Sequence, residues 1–222
     1  MSKSAKKNGA APEEGGSGKA GESRPAGWLF SVEGTCSGEL DQAAEKLVDL
    51  CGHGKTGAAC SRWDASNTFF ELRLGKAKRI PASPRTLVLL YASDLLFRLR
   101  WEIVPAMEAG RAVVAAPYVQ TAIGFGVTTG LPKEWLDELF SFAPRPDACF
   151  RLKEKHKNKE SNDHGKAGAG FVDFCCARLS PVSPEWKLAD LRGGILKYFD
   201  DLEEAGDIAR LGKKLPKKLG KK

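Results

Sequence analysis

Residues 28–51, WLFSVEGTCSGELDQAAEKLVDLC, contain an apolar run, a turn bounded by two glycines and a helix-like pattern. The run at 28–32 predicts a buried β-strand. After Gly38, apolar residues recur at positions 40, 43, 44, 47, 48 and 51, which is the spacing of one buried helical face. This order of strand, turn and helix is typical of a phosphate-binding loop, because N–H groups at the helix start can hold anionic oxygens.

The chemical signature of such a loop, GxxxxGK[ST], is only partly present. The turn is one residue short of the signature, and Glu39 and Leu40 take the places of its lysine and its hydroxyl residue. A carboxylate in the lysine position repels phosphate instead of attracting it. We therefore expect a degenerate phosphate loop formed by Gly34, Thr35, Cys36, Ser37 and Gly38.

Strand-like and helix-like segments alternate along the rest of the chain, which predicts an α/β fold with a parallel sheet. Further strands are predicted at 57–61, 111–116, 147–152 and 171–177. Helices are predicted at 67–75, 84–109, 132–142 and 183–204. Pro105 is expected to kink the second of these helices, and Gly193-Gly194 to weaken the last.

Composition divides the chain into three parts. Residues 1–26 are rich in Gly, Ser, Ala, Lys and Glu without periodicity, which predicts a disordered leader. The folded domain is expected over 27–211, with a polar, lid-like loop at 153–170. Residues 212–222 are expected to form a basic disordered tail.

Charge and cysteine usage exclude several classes of protein. The formal charge of +7 is concentrated at the end, where the last ten residues carry six lysines, so the body is nearly neutral and argues against nucleic-acid binding by the fold. No apolar run is long enough to span a membrane, and the start lacks the apolar core of a signal peptide. The six cysteines contain no CxxC pair, so we expect reduced thiols in a cytoplasmic protein and no metal site.

Beyond the loop, three stretches follow in an order that resembles the thymidylate kinase family: SRWDAS at 61–66, LLYASDLLFRLRWEIVPAMEAGRAVVAAPYV at 89–119, and GLPKEWLDELFSFAPRPDACFRL at 130–152. The similarity is strongest at 89–119. The resemblance implies a P-loop NTPase-like, three-layer α/β/α fold with a parallel sheet of roughly five strands. It also implies ATP and Mg²⁺ as cofactors and phosphoryl transfer to dTMP.

Part of the family's substrate site has counterparts in this chain. The resemblance implies substrate contacts by Arg62, Arg73, Asp94 and Tyr118. Leu95 replaces a phosphate-contacting arginine of the family, and Arg98, about one helical turn further on, is positioned to substitute for it. Phe125 and Gly126 stand where the family has residues that flank the base.

Other parts of the family's catalytic set are missing. Ala116 and Pro117 replace an Asp-Arg pair that serves magnesium and the transferring phosphate in the family. Phosphoryl transfer depends on positioned positive charge and metal, so these losses together with that of the loop lysine predict impaired catalysis. No residue is assigned a catalytic or metal-binding role.

Three functional interpretations remain open at this point. The first is a catalytically impaired protein that keeps binding of a nucleotide or phosphate, with a dTMP-like ligand. The second is an active nucleoside monophosphate kinase with a rebuilt site that uses the lysines of the lid-like loop. The third is a module that associates with nucleic acid or a protein through its basic tail. A homodimer, if formed, is expected to use the long helix, and a site filled by Trp63 or Phe125 would favour a scaffold over a ligand-binding protein.

Overall fold

The structure, a computed structural model, describes residues 27–52, 57–73, 81–153, 170–179 and 186–202. The four strands are β1 (Trp28–Glu33), β2 (Ala58–Arg62), β3 (Ala112–Ala116) and β4 (Ala148–Arg151). The helices are α1 (Ser37–Cys51), α2 (Thr68–Arg73), α3 (Pro84–Arg98), α4 (Val104–Glu108), α5 (Val119–Thr128), α6 (Lys133–Leu139), α7 (Phe171–Leu179) and α8 (Leu188–Asp201). A π-helical turn, Leu99–Ile103, joins α3 to α4.

The strands form one parallel sheet in the order β2-β3-β1-β4 within the described residues. Phe30 of β1 lies opposite Val114 on one side and Ala148 on the other. Cys60 of β2 lies opposite the same Val114. Because all four strands run in one direction, the segments that follow them meet at one edge of the sheet, where α/β proteins bind ligands.

The sheet separates two apolar clusters. Phe30 and Val32 face the smaller cluster, which α1 completes with Leu40, Ala44 and Leu47. Leu29, one residue away from Phe30, belongs to the larger cluster formed with α3, α5, α7 and α8. This alternation along β1 follows from the two-residue period of a strand and gives the three-layer α/β/α arrangement.

One predicted strand is wrong. Residues 171–177 were expected to be the fifth strand, but they lie in α7, so the described sheet has four strands. The buried positions of α7, at 171, 172, 174, 175, 178 and 179, follow helical spacing. A short apolar run does not distinguish a strand from a buried helix, which explains the error.

The long helix lies where the sequence predicts it, from Pro84 to Glu108, with an irregular turn near Pro105. Proline has no N–H to donate and so breaks the regular helical ladder there. The helix begins after Ser83, whose hydroxyl accepts the Thr86 N–H at 3.2 Å. The last helix begins at Leu188, later than expected, and runs unbroken through Gly193-Gly194.

Three predicted segments fall outside the described residues. They are the leader at 1–26, the basic tail at 212–222 and residues 154–169 of the lid-like loop. In the described part of the chain, no helix has both the length and the apolar character needed to cross a membrane.

Candidate functional site

The candidate phosphate loop connects β1 to α1 at the carboxyl edge of the sheet. Gly34 donates its N–H to the Thr121 hydroxyl at 3.2 Å, and Cys36 occupies the N-cap position of α1 without a side-chain capping bond. Thr35 is buried, whereas Gly38 is exposed. Glu39 lies in the first turn of α1, where its negative charge faces the positive end of the helix dipole. A carboxylate therefore stands where an anionic ligand would gain most.

Glu33, the last residue of β1, anchors the start of α5. Its fully buried carboxylate accepts hydrogen bonds from the N–H groups of Tyr118, Gln120 and Thr121, and from the Thr121 hydroxyl at 2.7 Å. Burial raises the pKa of Glu33, and these hydrogen bonds offset only part of that rise. Glu33 was not among the predicted site residues, although an acid at the end of an apolar strand is a usable signal.

Arg62 points toward α1 and is about half exposed. Its guanidinium lies 2.9 Å from Glu45 Oε1 and 3.6 Å from Asp41 Oδ1. Exposed ion pairs of this kind contribute little to stability, so they leave the arginine able to exchange partners. The predicted substrate contact of Arg62 stays a prediction.

Arg73, at the end of α2, lies beside Trp63 and Asp64. Its guanidinium is 5.8 Å from the centre of the Trp63 ring, and its Nη2 is 3.7 Å from Asp64 Oδ2. Asp64 has a positive φ of 64°, and its carboxylate also accepts the Phe69 N–H at 2.8 Å. Burial is the main cause that raises the pKa of Asp64. Arg73 is thus held within the chain by an aromatic ring and an acid.

Asp94 is fully buried in α3 beneath the segment that follows β2. Its carboxylate accepts the N–H groups of Asp64 and Ser66 at 3.1 and 3.0 Å and the Ser66 hydroxyl at 2.7 Å. These bonds fix the conformation of residues 64–66. Both oxygens of the Asp94 carboxylate therefore accept hydrogen bonds from the chain.

Arg98 is also fully buried, and its guanidinium joins three elements. It donates to the Ser61 hydroxyl and carbonyl at 2.9 Å each and to the Pro117 carbonyl at 2.8 Å. The Ser61 hydroxyl in turn donates to Glu102 at 2.6 Å. Arg98 therefore links α3 to the ends of β2 and β3.

Tyr118 follows the cis peptide bond between Ala116 and Pro117 and is almost fully buried. Its hydroxyl donates to the Pro144 carbonyl at 3.0 Å, and its carbonyl accepts the Tyr91 hydroxyl at 2.6 Å. Burial is the main cause that raises the pKa of Tyr118, so its hydroxyl stays protonated at neutral pH. Asp94, Arg98 and Tyr118 are thus each buried and hydrogen-bonded within the fold, whereas Arg62 is exposed.

Aromatic side chains form a buried cluster around Phe171. The Phe171 ring, 2% exposed, lies 4.6 Å from the Tyr91 ring and 5.4 Å from the Phe125 ring, measured between centroids. The remaining members of this aromatic cluster are Trp63, Phe69 and Phe174. Phe171 was not foreseen as part of the site, because its segment was expected to be a strand.

Metal-binding groups are not gathered in the part of the chain that the structure describes. No three side chains of His, Cys, Asp or Glu lie close enough together there to hold a metal ion. All six cysteines lie within this part and form no disulfide.

Comparison with known proteins points to one group. Over 86 residues, 39% of its length, the chain is 38% identical to a probable thymidylate kinase of Pyrococcus abyssi and covers 41% of that relative. It is 26% identical over 93 residues to probable thymidylate kinase 2 of Saccharolobus solfataricus, covering 44% of that protein. The chain thus matches about two fifths of the length of these curated relatives. No family model matches the sequence.

Solved structures extend the similarity to the fold of nearly the whole chain. The thymidylate kinase of Ehrlichia chaffeensis aligns with 88% of this chain and with all of its own chain, at a TM-score of 0.56 and 13% identity. The Candida albicans thymidylate kinase aligns with 85% of this chain at a TM-score of 0.51 and 16% identity. The chain therefore has the α/β fold of these thymidylate kinase structures, and its sequence is similar to that of thymidylate kinases over about two fifths of its length.

Proposed function

We propose that this thymidylate kinase-like protein is catalytically impaired and does not accept dTMP in the conformation of this structure. The observation that carries the proposal is the Phe171 ring, which is packed against Phe125, the residue that the family resemblance puts beside the base. The ring also lies 4.6 Å from the Tyr91 ring, at an interplanar angle of 57°, and is almost fully buried. A nucleoside base would need the volume that this ring fills, because protein interiors leave few voids.

Electrostatics around the phosphate loop supports the same proposal. Glu39 brings a negative charge to the first turn of α1, and Ala116 and Pro117 supply neither the acid nor the arginine of the family. Rate enhancement in phosphoryl transfer comes from cations and metal around the moving group, and a single arginine can contribute about a thousandfold or more. We expect residual binding of phosphate or nucleotide at the loop to be weak.

The buried hydrogen bonds of Asp94, Arg98 and Tyr118 support a structural role for these three predicted substrate residues. The described hydrogen bonds of Asp94 and Arg98 run to the chain itself, and the Tyr118 hydroxyl donates to a carbonyl. We propose that these groups hold the carboxyl edge of the sheet together. Arg62 and Arg73 remain the candidates for contact with an anionic ligand.

A coupled assay of ADP release tests the proposal on the full chain. With Mg-ATP and dTMP we expect no acceptor-dependent ADP release above background. Acceptor-dependent ADP release at a rate typical of kinases would overturn the proposal. It would instead support the rebuilt active site that uses ATP, Mg²⁺ and the lid lysines, most of which lie outside the described residues.

A charge substitution tests the electrostatic part separately. Glu39→Lys should bind ATP measurably more tightly than the natural protein, because an ammonium replaces a carboxylate at the helix start. Asp49→Lys makes the same change of charge at an exposed position near the other end of α1 and should leave ATP binding unchanged. Equal gains in both variants would mean that only overall charge matters.

A second candidate function, self-association, is favoured by an apolar surface on the long helix. This α3 stripe consists of Leu89, Leu96, Phe97 and Trp101, which are 45%, 50%, 39% and 62% exposed. Contiguous apolar surface of this kind on a helix face marks an interaction site. We propose that a second copy of the chain covers it.

The α3 stripe is self-complementary when two copies of the helix pair antiparallel about Ser93. This small, exposed residue then lies at the two-fold axis and lets the helices approach. Leu89 of one copy meets Phe97 of the other, and Arg85 meets Trp101. The first contact is apolar. At the second, the Arg85 guanidinium already lies 4.9 Å from the centre of the Trp135 ring of its own chain, so the apolar contact carries the pairing.

Sedimentation analysis tests this dimer. The natural chain should sediment as a dimer at micromolar concentration, and Leu96→Lys should sediment as a monomer with unchanged secondary structure. Phe142→Lys, at an apolar position exposed elsewhere, is the matched control and should remain dimeric. A natural chain that is monomeric throughout would exclude the proposal.

The basic tail and a cytoplasmic location stay predictions. Deletion of residues 213–222 should abolish salt-sensitive retention on immobilised DNA if the tail binds nucleic acid. Retention that does not change on deletion would exclude that function.

A further inference from the structure

We propose that α7 is an intramolecular plug: Gly170 closes the phosphate loop, Phe171 closes the aromatic pocket, and the helix can open as a unit without unfolding the sheet. The inference rests on the site described under the proposed function and adds its regulation. Two adjacent residues cover two different halves of that site. An opening of α7 would therefore uncover both halves at once.

The first half is the start of α1. Gly170 lies so close to Ser37 that a Cβ atom at position 170 would be 3.0 Å from the Ser37 Cβ and 3.5 Å from the Ser37 N. Such a distance is shorter than ordinary van der Waals contact, so position 170 has no room for a side chain unless its neighbour moves. The Gly170 carbonyl also accepts the Phe174 N–H at 3.0 Å, so the residue that lies beside Ser37 directly precedes α7 and makes the first hydrogen bond of its opening turn.

The second half is the aromatic cluster. Phe171 contacts rings from four other segments: Trp63 after β2, Phe69 of α2, Tyr91 of α3 and Phe125 of α5. The Phe171 ring is thus enclosed by aromatic rings, which is also how a planar ligand would be held in an aromatic pocket. Trp63 Nε1 is buried and has no acceptor among the described residues, so the closed cluster leaves one donor unsatisfied. A planar ring that carries an acceptor is the kind of ligand that could compete with Phe171.

The attachment of α7 to the rest of the fold is mainly apolar, since six of its nine residues are buried and most of these belong to the larger cluster. Its polar contacts are the ion pair between Asp173 and Arg192 at 3.2 Å, the bonds of Arg178 to the Ala82 N–H and the Leu72 carbonyl, and the contact of the Cys176 thiol with the Trp186 carbonyl. No strand of the sheet pairs with it. An opening of α7 therefore breaks no strand pairing, and local opening of a helix, distinct from global unfolding, is a general property of folded proteins.

Thiol labelling of Cys175 measures the opening directly. This cysteine of α7 is 0% exposed, and burial raises its pKa well above the usual range, so it reacts with iodoacetamide only when α7 leaves its place. A Cys176→Ala background removes the neighbouring thiol. Hydrogen exchange at the buried strand β3 reports global unfolding in the same sample. We expect the slowing of Cys175 labelling relative to a free cysteine to be at least about tenfold smaller than the slowing of β3 amide exchange relative to free amides.

Two variants and one probe make the test specific. Gly170→Val should accelerate Cys175 labelling further because its side chain cannot fit beside Ser37, whereas Gly193→Val, in open space on α8, should not. Saturating thymidine, used as a planar-ring probe, should also accelerate labelling, because it binds only the open form. Most ligands protect the protein that they bind, so this sign distinguishes a plug from a frayed helix.

The outcomes separate this inference from the proposed function. The plug would be overturned if Cys175 is protected from labelling as strongly as the β3 amides are protected from exchange. It would also be overturned if thymidine slows the labelling, or leaves it unchanged, in both the Cys176→Ala protein and its Gly170→Val derivative. If Gly170→Val does not fold, the comparison of labelling with and without thymidine in the Cys176→Ala protein decides the matter alone. Kinase activity in the natural chain would overturn the proposed function but would not change the labelling result.

Discussion

Arg98 is one of the largest fully buried side chains among the described residues and holds three elements together through hydrogen bonds to Ser61 and Pro117. A buried guanidinium is favourable only when its donors are satisfied, and the ends of β2 and β3 supply the acceptors. This use of the side chain explains why an arginine in this place need not imply a bound phosphate. Its main effect should be on stability.

The first prediction concerns that arginine. Arg98→Met should lower the free energy of unfolding by about 3 kcal/mol, because the Ser61 and Pro117 carbonyls lose their donor in a buried place. Urea denaturation measures the change. Arg100→Met, two residues away and exposed, should stay within about 0.5 kcal/mol of the natural protein. Equal losses in the two variants would contradict the structural role of Arg98.

The second prediction concerns the pH dependence contributed by Glu33. Its pKa is raised in the folded state, so the folded protein binds more protons than the unfolded chain above about pH 4.3, and stability falls as pH rises through the folded pKa. Glu33→Gln removes this contribution. The stability of the natural protein relative to the variant should therefore fall as pH rises above about 4.3.

Denaturant titrations of both proteins at several pH values check this trend. A difference in stability that grows with pH would mean that the hydrogen bonds to Tyr118, Gln120 and Thr121 outweigh burial. In that case the carboxylate, and not the protonated acid, would be the favoured form in the folded protein.

At the scale of elements, α8 contains two adjacent glycines in different surroundings. A Cβ at Gly193 would meet nothing within 4 Å, whereas one at Gly194 would be 2.3 Å from the Thr128 Cγ2. Gly194 therefore lets α8 approach α5 closely, and Gly193 only faces solvent. The helix continues through both because packing against α5 compensates for their poor helix propensity.

The third prediction uses this contrast. Gly193→Ala should raise the free energy of unfolding by about 0.5–1 kcal/mol, since alanine restricts the unfolded chain and favours the helix. Gly194→Ala should lower it by about 1–3 kcal/mol, because the added methyl group overlaps the stiff, β-branched Thr128. Thermal or urea denaturation reads both values. Two changes of the same sign would show that α8 and α5 are not in this close contact.

For the whole molecule, the sheet joins two apolar clusters through the shared strands β1 and β3. The cluster with α1 is the smaller one, and it packs on one face of β1 and β3. The larger cluster packs on the opposite face of the same two strands. Loss of one layer would expose the sheet, so the two layers should unfold together. The plug opening proposed for α7 is a smaller event that leaves this shared sheet in place.

The fourth prediction tests that cooperativity. Leu47→Ala, at a fully buried position of α1, should lower the free energy of unfolding by about 3 kcal/mol. Circular dichroism and tryptophan fluorescence should report the same reduced midpoint, although most tryptophans lie with the larger cluster. Lys46→Ala, exposed beside it, is the control. Separate midpoints would mean that the layers unfold independently.

The amino-acid sequence by itself determined the elements whose periodicity is strong. The strand at Trp28, the amphipathic helix after Gly38 and the long helix after Pro84 could be predicted because their apolar spacing and start signals agree. The sequence alone also shows Glu39 in the place of the loop lysine, and the impaired chemistry that this implies stays a prediction.

Only the tertiary structure decided what the remaining site residues contact. Periodicity is ambiguous for the short apolar segment at Phe171, and packing against Tyr91 and Phe125 makes it a helix that fills the pocket. The burial of Arg98 and Glu33 depends on partners 19 to 88 residues away along the chain, which local pattern does not encode. Such long-range contacts decide whether a charged side chain faces a ligand or the protein's own backbone.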